Sequence, residues 1–143
     1  MRIEFQKSGF FCPKAHYECG GVRETIRLQS DGTFYWNFNG QSYRTYPGSN
    51  PEIFCDEKKV AFRSWMFSPI EWIITNYRGR KWKIFETYQR WGCQVTWKTT
   101  EGKCIMNFFH TGCCRGTAIM RSDWSDNVGL LVGMVIPLIL SSG

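Results

Sequence analysis

Cysteine and histidine side chains are the residues of this 143-residue chain with the most chemistry to offer. The spacing Cys12-x3-His16-x2-Cys19 places three thiol and imidazole groups close together, and His110-x2-Cys113 supplies two more. Zinc binds such sulfur and nitrogen ligands tetrahedrally. Neither cluster has the paired C-x2-C spacing of common zinc modules, so we predict no metal site and interpret both histidines as hydrogen-bonded or surface residues.

The same residues could supply a thiolate nucleophile, through Cys19 with His16 or Cys113 with His110. Cysteines with a purely structural role explain these residues equally well. Most acidic residues are scattered singly, and the chain has no glycine-rich phosphate loop. We therefore predict a non-catalytic protein without a cofactor, with a Cys/His-dependent enzyme as the alternative.

The cysteine count of seven is high for a reduced cytosolic protein of this length. It favours disulfides, with the β-rich part of the chain in an oxidising compartment such as an organelle lumen or the extracellular side. A disulfide between neighbouring residues strains the backbone, so adjacent Cys113 and Cys114 should bond to different partners. The disulfide candidates are Cys12, Cys19, Cys55, Cys93, Cys104, Cys113 and Cys114.

Positive charge is concentrated in the middle of the chain. Between positions 58 and 103 there are ten Lys or Arg residues against three Glu, whereas the net charge of the whole chain is +6. Within this stretch, residues 77–83 interleave cations with aromatic rings. This pattern can bind anionic lipid head groups, an acidic partner surface or single-stranded nucleic acid. No groove-reading motif accompanies it, so we predict contact with a partner protein or lipid heads, with a merely solvated hairpin tip as the alternative. The predicted contact residues are Arg78, Arg80, Lys81, Trp82 and Lys83.

An uncharged apolar run, VGLLVGMVIPLIL, begins at Val128. Gly129 and Gly133 have the small-xxx-small spacing that lets two membrane helices approach closely, and Trp124 lies where interfacial aromatic anchors occur. The run is short against a hydrocarbon core of about 30 Å. A buried core segment and a cleaved glycolipid-attachment signal are the alternatives. The glycine spacing favours a transmembrane helix that packs against a helical neighbour.

Turn signals recur at short intervals through the rest of the chain, among them Gly20-Gly21 and Asn39-Gly40. They separate short segments in which apolar and polar residues alternate, as strands require. Predicted strands lie at 22–29, 33–38, 41–46, 59–67, 71–77, 81–88, 93–99, 104–109 and 116–121. The pattern predicts a mainly β fold, an antiparallel meander closed as a barrel or stacked as a sandwich, with a C-terminal apolar helix.

One hairpin carries a family resemblance. The run IRLQSDGTFYW at 26–36, with Asp31-Gly32 at its turn, and the later segment KVAF at 59–62 resemble the DGTF hairpin and following strand of small lipocalin-like (calycin) barrels. The resemblance implies an up-and-down barrel that holds a small apolar ligand.

These features divide the chain into three parts: a β-rich, disulfide-containing domain at 1–121, a polar linker at 122–127 and an apolar membrane-anchoring tail at 128–143. The predicted function is that of a non-catalytic accessory or binding subunit of a membrane assembly. Its partners would be other membrane protein subunits and the lipid bilayer, not nucleic acid. The alternatives are a lipocalin-like carrier of a small apolar ligand, with the tail folded into the barrel, and an extracellular carbohydrate-binding or adhesion module.

Overall fold

The structure is a computed structural model that describes residues 1–8, 14–29, 31–46, 50–64, 70–112 and 115–141. These residues form twelve β-strands, two 3₁₀ helices and one α-helix. The strands are β1 (Arg2–Ser8), β2 (Lys14–Cys19), β3 (Val22–Leu28), β4 (Phe34–Phe38), β5 (Gln41–Tyr46), β6 (Glu52–Cys55), β7 (Lys58–Ser64), β8 (Ile70–Tyr77), β9 (Arg80–Gln89), β10 (Gln94–Thr99), β11 (Cys104–Gly112) and β12 (Arg115–Met120). The 3₁₀ helices are Arg90–Gly92 and Ser122–Asn127, and the α-helix is α1 (Val128–Ser141).

The strands form a closed antiparallel barrel. Each strand pairs with the next along the chain, and β1 closes the barrel by pairing with β12. The predicted mainly β meander is therefore confirmed, in its barrel form. Sequence analysis did not predict β1, β2 or β6.

Side chains alternate between the inside and the outside of the barrel. In β1, Ile3 and Phe5 are buried, whereas Arg2 and Glu4 between and beside them are exposed. This period of two follows from the pleat of a strand, whose successive side chains point to opposite faces. The inner wall is built largely from aromatic rings, the largest fully buried ones being Trp36, Trp72, Trp97, Tyr17, Tyr43, Tyr77 and Phe108.

The two ends of the barrel differ. At one end, here called the turn end, four hairpins have two-residue turns: Gly20–Gly21, Asn39–Gly40, Asp56–Glu57 and Arg78–Gly79. Both residues of each turn have positive φ. Such turns match the right-handed twist of the paired strands. The opposite end, here called the loop end, carries the connections from β9 to β10 and from β11 to β12.

Helix α1 lies inside the barrel. Eight of its large apolar side chains are at most 2% exposed: Val128, Leu130, Leu131, Val132, Met134, Val135, Ile136 and Ile139. The indole nitrogen of Trp36 in β4 donates a hydrogen bond to the Gly129 carbonyl at 3.1 Å. Among the described residues, no helix is long and apolar enough to cross a membrane. The predicted transmembrane helix is therefore wrong, because the apolar surface expected to face lipid packs against the barrel wall.

Gly129 and Gly133 let α1 approach that wall closely. A Cβ atom at Gly129 would overlap the Tyr43 ring, and one at Gly133 would lie 2.8 Å from Ile53 Cδ1 and 2.9 Å from the Trp36 ring. Contacts this short do not occur for real Cβ atoms without a shift of the neighbour. The two glycines thus lie where α1 packs against the chain's own barrel, whereas the prediction was that they face a second membrane helix.

Buried phenols make the fold sensitive to alkali. Tyr17, Tyr43 and Tyr77 are at most 2% exposed, and burial raises the pKa of each above the ordinary value of 10.0. A pKa raised in the folded state gives stability that is complete below the unfolded pKa and declines as the pH rises past it. We expect the free energy of unfolding to fall above about pH 10, with tyrosinate absorbance from these residues appearing only as far-ultraviolet circular dichroism is lost.

The six tyrosines supply the control for this experiment. The triple Tyr→Phe variant at positions 17, 43 and 77 should lose most of the absorbance step that accompanies unfolding, and Tyr88, whose pKa burial also raises, should account for the remainder. If the tyrosinate absorbance of all six appeared while the circular dichroism stayed native, the burial argument would be refuted.

Candidate functional site

A groove at the turn end combines positive charge with indole rings. We call it the basic groove; β9, the connection from β10 to β11 and the 3₁₀ helix Ser122–Asn127 supply most of its side chains. Its volume is about 390 Å³, which admits a few side chains but no folded domain. Its principal side chains are Lys81, Trp82, Lys83, Lys103, Arg121 and Trp124.

The floor of the basic groove contains a pair of tryptophans. The ring centroids of Trp82 and Trp124 are 5.0 Å apart, with the ring planes tilted by 45°. Both rings are partly buried and pack against the hydrophobic core. Trp124 was predicted to anchor the chain at a membrane interface; in the structure it packs on Trp82 of the barrel instead.

The cations of the basic groove are only partly neutralised. The Arg121 guanidinium lies 2.6 Å from Asp123, and the Lys83 ammonium lies 3.8 Å from Glu71. No acidic side chain in the described part of the chain lies within 4.0 Å of the Lys81 or Lys103 ammonium. Glu101 and Asp123 also line the groove, so its four cations and two carboxylates leave a net charge of +2 (4 − 2).

The predicted basic hairpin is divided by the fold. Lys81, Trp82 and Lys83 enter the basic groove, whereas Arg78 turns the other way and its Nη2 donates to Gln41 Oε1 at 3.3 Å. Arg80 is exposed at the start of β9 and is not among the groove's lining residues.

Sequence reasoning missed two cations of the groove, Lys103 and Arg121. The position of Lys103 could have been predicted from the meander, because every second turn of a meander lies at the same end of the barrel. The turn before β11 is therefore the next one beside the turn at 78–79.

The described cysteines do not form disulfides. Cys19, Cys55, Cys93 and Cys104 are free thiols, so the prediction of disulfides is wrong for these four. Cys19 and Cys55 point into the barrel, and burial raises the pKa of both thiols, which makes them poor nucleophiles at neutral pH. The other candidates, Cys12, Cys113 and Cys114, lie outside the described residues.

The proposed pairing of His16 with Cys19 does not exist in the structure. His16 lies on the outer face of β2 with its Nδ1 3.1 Å from Thr25 Oγ1, whereas Cys19 faces the core. Burial, followed by the charges of Arg23 and Lys14, lowers the pKa of His16. Within the described ranges, no group of three or more His, Cys, Asp or Glu side chains could hold a metal ion.

A buried carboxylate that sequence reasoning did not single out lies on the inner wall. Glu86 is 1% exposed. The indole nitrogens of Trp72 and Trp97 both donate to its Oε1 at 2.9 Å, and the Tyr88 hydroxyl donates to its Oε2 at 2.7 Å. The Arg63 guanidinium lies 3.6 Å from Oε2. The alternation of β9 gave a signal, because Glu86 shares the inward face with Ile84.

This arrangement joins strands β7 to β10 through one side chain. Both oxygens of Glu86 already accept hydrogen bonds, so the carboxylate has little capacity left for a substrate proton. Burial, followed by the Glu86 charge, raises the pKa of Tyr88. The cluster stabilises the wall, and the basic groove is the stronger candidate for function.

Comparison with known proteins adds no relative. No protein-family model, curated protein or solved structure matches this chain. The resemblance to lipocalin-like barrels accordingly stays a resemblance of one hairpin and the strand at 59–62.

Proposed function

We propose that this protein is a non-catalytic binding module that receives an acidic segment of a partner protein in the basic groove. The observation that carries the proposal is the position of Lys81 and Lys103, two cations without acidic partners among the described residues, beside the Trp82–Trp124 pair. Carboxylates of a partner can neutralise the lysines, and an apolar side chain can cover the indole rings. Tryptophan is among the residues most enriched at the anchor positions of protein interfaces.

The charges inside the groove favour a protein over a nucleic acid. Glu101 and Asp123 line the same groove, where they would repel the closely spaced charges of a phosphate backbone. A peptide can place its carboxylates at Lys81 and Lys103 and uncharged residues elsewhere. Complementarity of this kind contributes specificity and a faster association rate.

The position of α1 argues against the alternative of an apolar-ligand carrier. In a lipocalin-like carrier the ligand occupies the interior of the barrel. In this chain the interior holds eight buried apolar side chains of α1, so binding there would require the helix to leave. An accessory subunit with this fold would therefore bind its partner on the outer surface of the barrel.

The proposal predicts that charge reversal in the groove weakens binding. We expect the double variant Lys81→Glu, Lys103→Glu to bind a labelled peptide of alternating Glu and Phe about 30-fold more weakly, roughly 2 kcal/mol, because each reversal removes one attraction and adds one repulsion. Fluorescence anisotropy at several salt concentrations measures the loss, and added salt should weaken binding to the wild type.

The matched control makes the same change in net charge at the loop end. Lys14→Glu with Arg27→Glu alters two exposed cations of β2 and β3 and should leave peptide affinity close to that of the wild type. Equal losses of affinity in both double variants would show that net charge alone causes the effect and would contradict binding in the basic groove. Tighter binding of a single-stranded oligonucleotide or of anionic vesicles than of the peptide would also refute an acidic protein segment as the occupant.

A further inference from the structure

A thiol and a thioether are in contact at the turn end of the barrel. Cys19, the last residue of β2, is buried, and its thiol donates to Met1 Sδ with the two sulfurs 3.3 Å apart. Met1 precedes β1, and its side chain is 46% exposed. The two sulfurs therefore lie at the mouth of the barrel, where the interior meets solvent.

Met120 lies beside Met1 on the neighbouring strand. The Met1 backbone nitrogen donates to the Met120 carbonyl at 2.8 Å, and the Met120 N–H donates to the Met1 carbonyl at 2.8 Å. Two residues that exchange both backbone hydrogen bonds are directly opposed, with their side chains on the same face of the sheet. This face is the interior of the barrel, because Met120 is 2% exposed.

The set of sulfur-bearing residues continues on β11. Met106 is the register partner of Met120 and is fully buried. Cys19, Met1, Met120 and Met106 therefore occupy neighbouring positions across β2, β1, β12 and β11, and we call them the sulfur row. Packing alone requires only apolar side chains at these positions. Sulfur at all four of them also provides lone pairs that can bind a soft metal ion.

We propose that the sulfur row is a binding site for Cu(I), with the Cys19 thiolate and the thioethers of Met1 and Met120 as ligands and Met106 as the next sulfur in the row. The thiol proton passes to water when the Cu–S bond forms, and no electron is transferred. The site uses none of the residues that line the basic groove, so it does not depend on the function proposed for that groove. Bound copper would join β2, β1 and β12, and so stabilise the seam at which the barrel closes.

Ligand softness and charge both favour Cu(I) over a divalent ion. Thioether sulfurs are soft ligands, and together with a thiolate they select Cu(I). Of the four sulfur groups, only the Cys19 thiol can become an anion. A monovalent ion forms a neutral centre with this thiolate, whereas Zn²⁺ would keep one uncompensated positive charge in a largely buried site, which is costly.

The spacing of the two contacting sulfurs is close to that of a metal-bound pair. Two sulfurs at about 2.3 Å from a tetrahedrally coordinated ion are roughly 3.8 Å apart. The Cys19 and Met1 sulfurs, at 3.3 Å, would have to separate by about half an ångström. Met1 can make this movement, because its side chain is unbranched and half-exposed. The same exposure gives the ion a path from solvent.

The test adds one equivalent of Cu(I), kept reduced by ascorbate, to the reduced full chain and measures the affinity by competition with the coloured chelator bicinchoninate. We expect the variants Cys19→Ser and Met120→Leu each to bind Cu(I) at least about tenfold more weakly than the wild type, because each loses one sulfur ligand. The matched controls are Cys55→Ser, at a second buried thiol of the barrel, and Met134→Leu, at a buried thioether of α1. Both should keep the wild-type affinity.

X-ray absorption at the copper K edge keeps the result decisive if a variant fails to fold, because it is measured on the wild type. We expect at least three sulfur neighbours at about 2.3 Å from the copper and no nitrogen or oxygen neighbour. Nitrogen or oxygen ligands in this spectrum, an unchanged affinity in a folded Cys19→Ser variant, or equal losses in Cys19→Ser and Cys55→Ser would each overturn the proposal. Displacement of Cu(I) by an equal concentration of Zn²⁺ would do the same.

Discussion

A chain that ends after Asn127 is expected to fail to form the barrel. Eight large apolar side chains of α1 are buried. At roughly 1.5 to 3 kcal/mol each, they contribute about 12 to 24 kcal/mol of transfer free energy before the cost of ordering the helix is subtracted. The free energy of unfolding of a domain is only about 5 to 15 kcal/mol, so a barrel without α1 is not expected to remain folded. Far-ultraviolet circular dichroism and gel filtration of the truncated chain measure the outcome.

A point substitution tests the same packing without removing residues. Gly129→Leu places a side chain where the Tyr43 ring already lies, and overpacking of this kind costs typically 1 to 3 kcal/mol or more. The matched variant Gly112→Leu adds the same side chain at a position with no heavy atom within 4 Å of the new Cβ, and its stability should stay close to the wild-type value. A folded, monomeric barrel after truncation would contradict the central role of α1 and would restore the membrane interpretation of the tail.

The second large effect is expected at Glu86. The variant Glu86→Leu removes the acceptor of the Trp72 and Trp97 indole N–H groups and the carboxylate that lies 3.6 Å from the Arg63 guanidinium. Breaking a buried pair in this way typically costs about 3 to 5 kcal/mol, because the remaining charge stays out of water. Urea unfolding followed by tryptophan fluorescence should show the lower free energy of unfolding.

Glu71→Gln is the matched control for Glu86→Leu. Glu71 is paired with Lys83 at 3.8 Å at a more solvated position, where such pairs contribute at most about 1 kcal/mol. If both variants lost the same small amount of stability, Glu86 would contribute no more than a surface carboxylate. The interpretation that its cluster stabilises the barrel wall would then be incorrect.

Local sequence signals were enough to predict the meander but not its full size. The alternation of Val22, Glu24, Ile26 and Leu28 and the turn at Asn39-Gly40 are local, and both lie in the predicted hairpins. β1 has an equally regular alternation at Ile3 and Phe5, but it is short, and no strand was predicted before residue 22. β6 has only four residues, too few for a period of two to stand out.

The fate of the tail could not be predicted from its own residues. A helix that is apolar on every side fits equally well inside a bilayer and inside a barrel, because both surroundings lack water. Deciding between them requires the volume enclosed by all twelve strands, which is a property of the closed barrel and not of any segment. The same holds for the basic groove, since Arg121 and Trp124 line it together with Lys81 only because the 3₁₀ helix Ser122–Asn127 lies between β12 and α1 at the turn end.

The placement of α1 also restricts the order of events during folding. The helix follows all twelve strands in the chain, so the strands are synthesised before the element that must fill them. Once the barrel is closed and the aromatic rings of its interior are packed, α1 can no longer enter it. The pairing of β1 with β12 therefore has to form after α1 is in place. That seam joins residues more than a hundred positions apart, such as Arg2 and Ile119, and closure over so long a loop is slow. We therefore expect the chain to fold through an intermediate with an open, aggregation-prone sheet. This intermediate needs a low protein concentration or chaperones to avoid pairing with other copies of the chain.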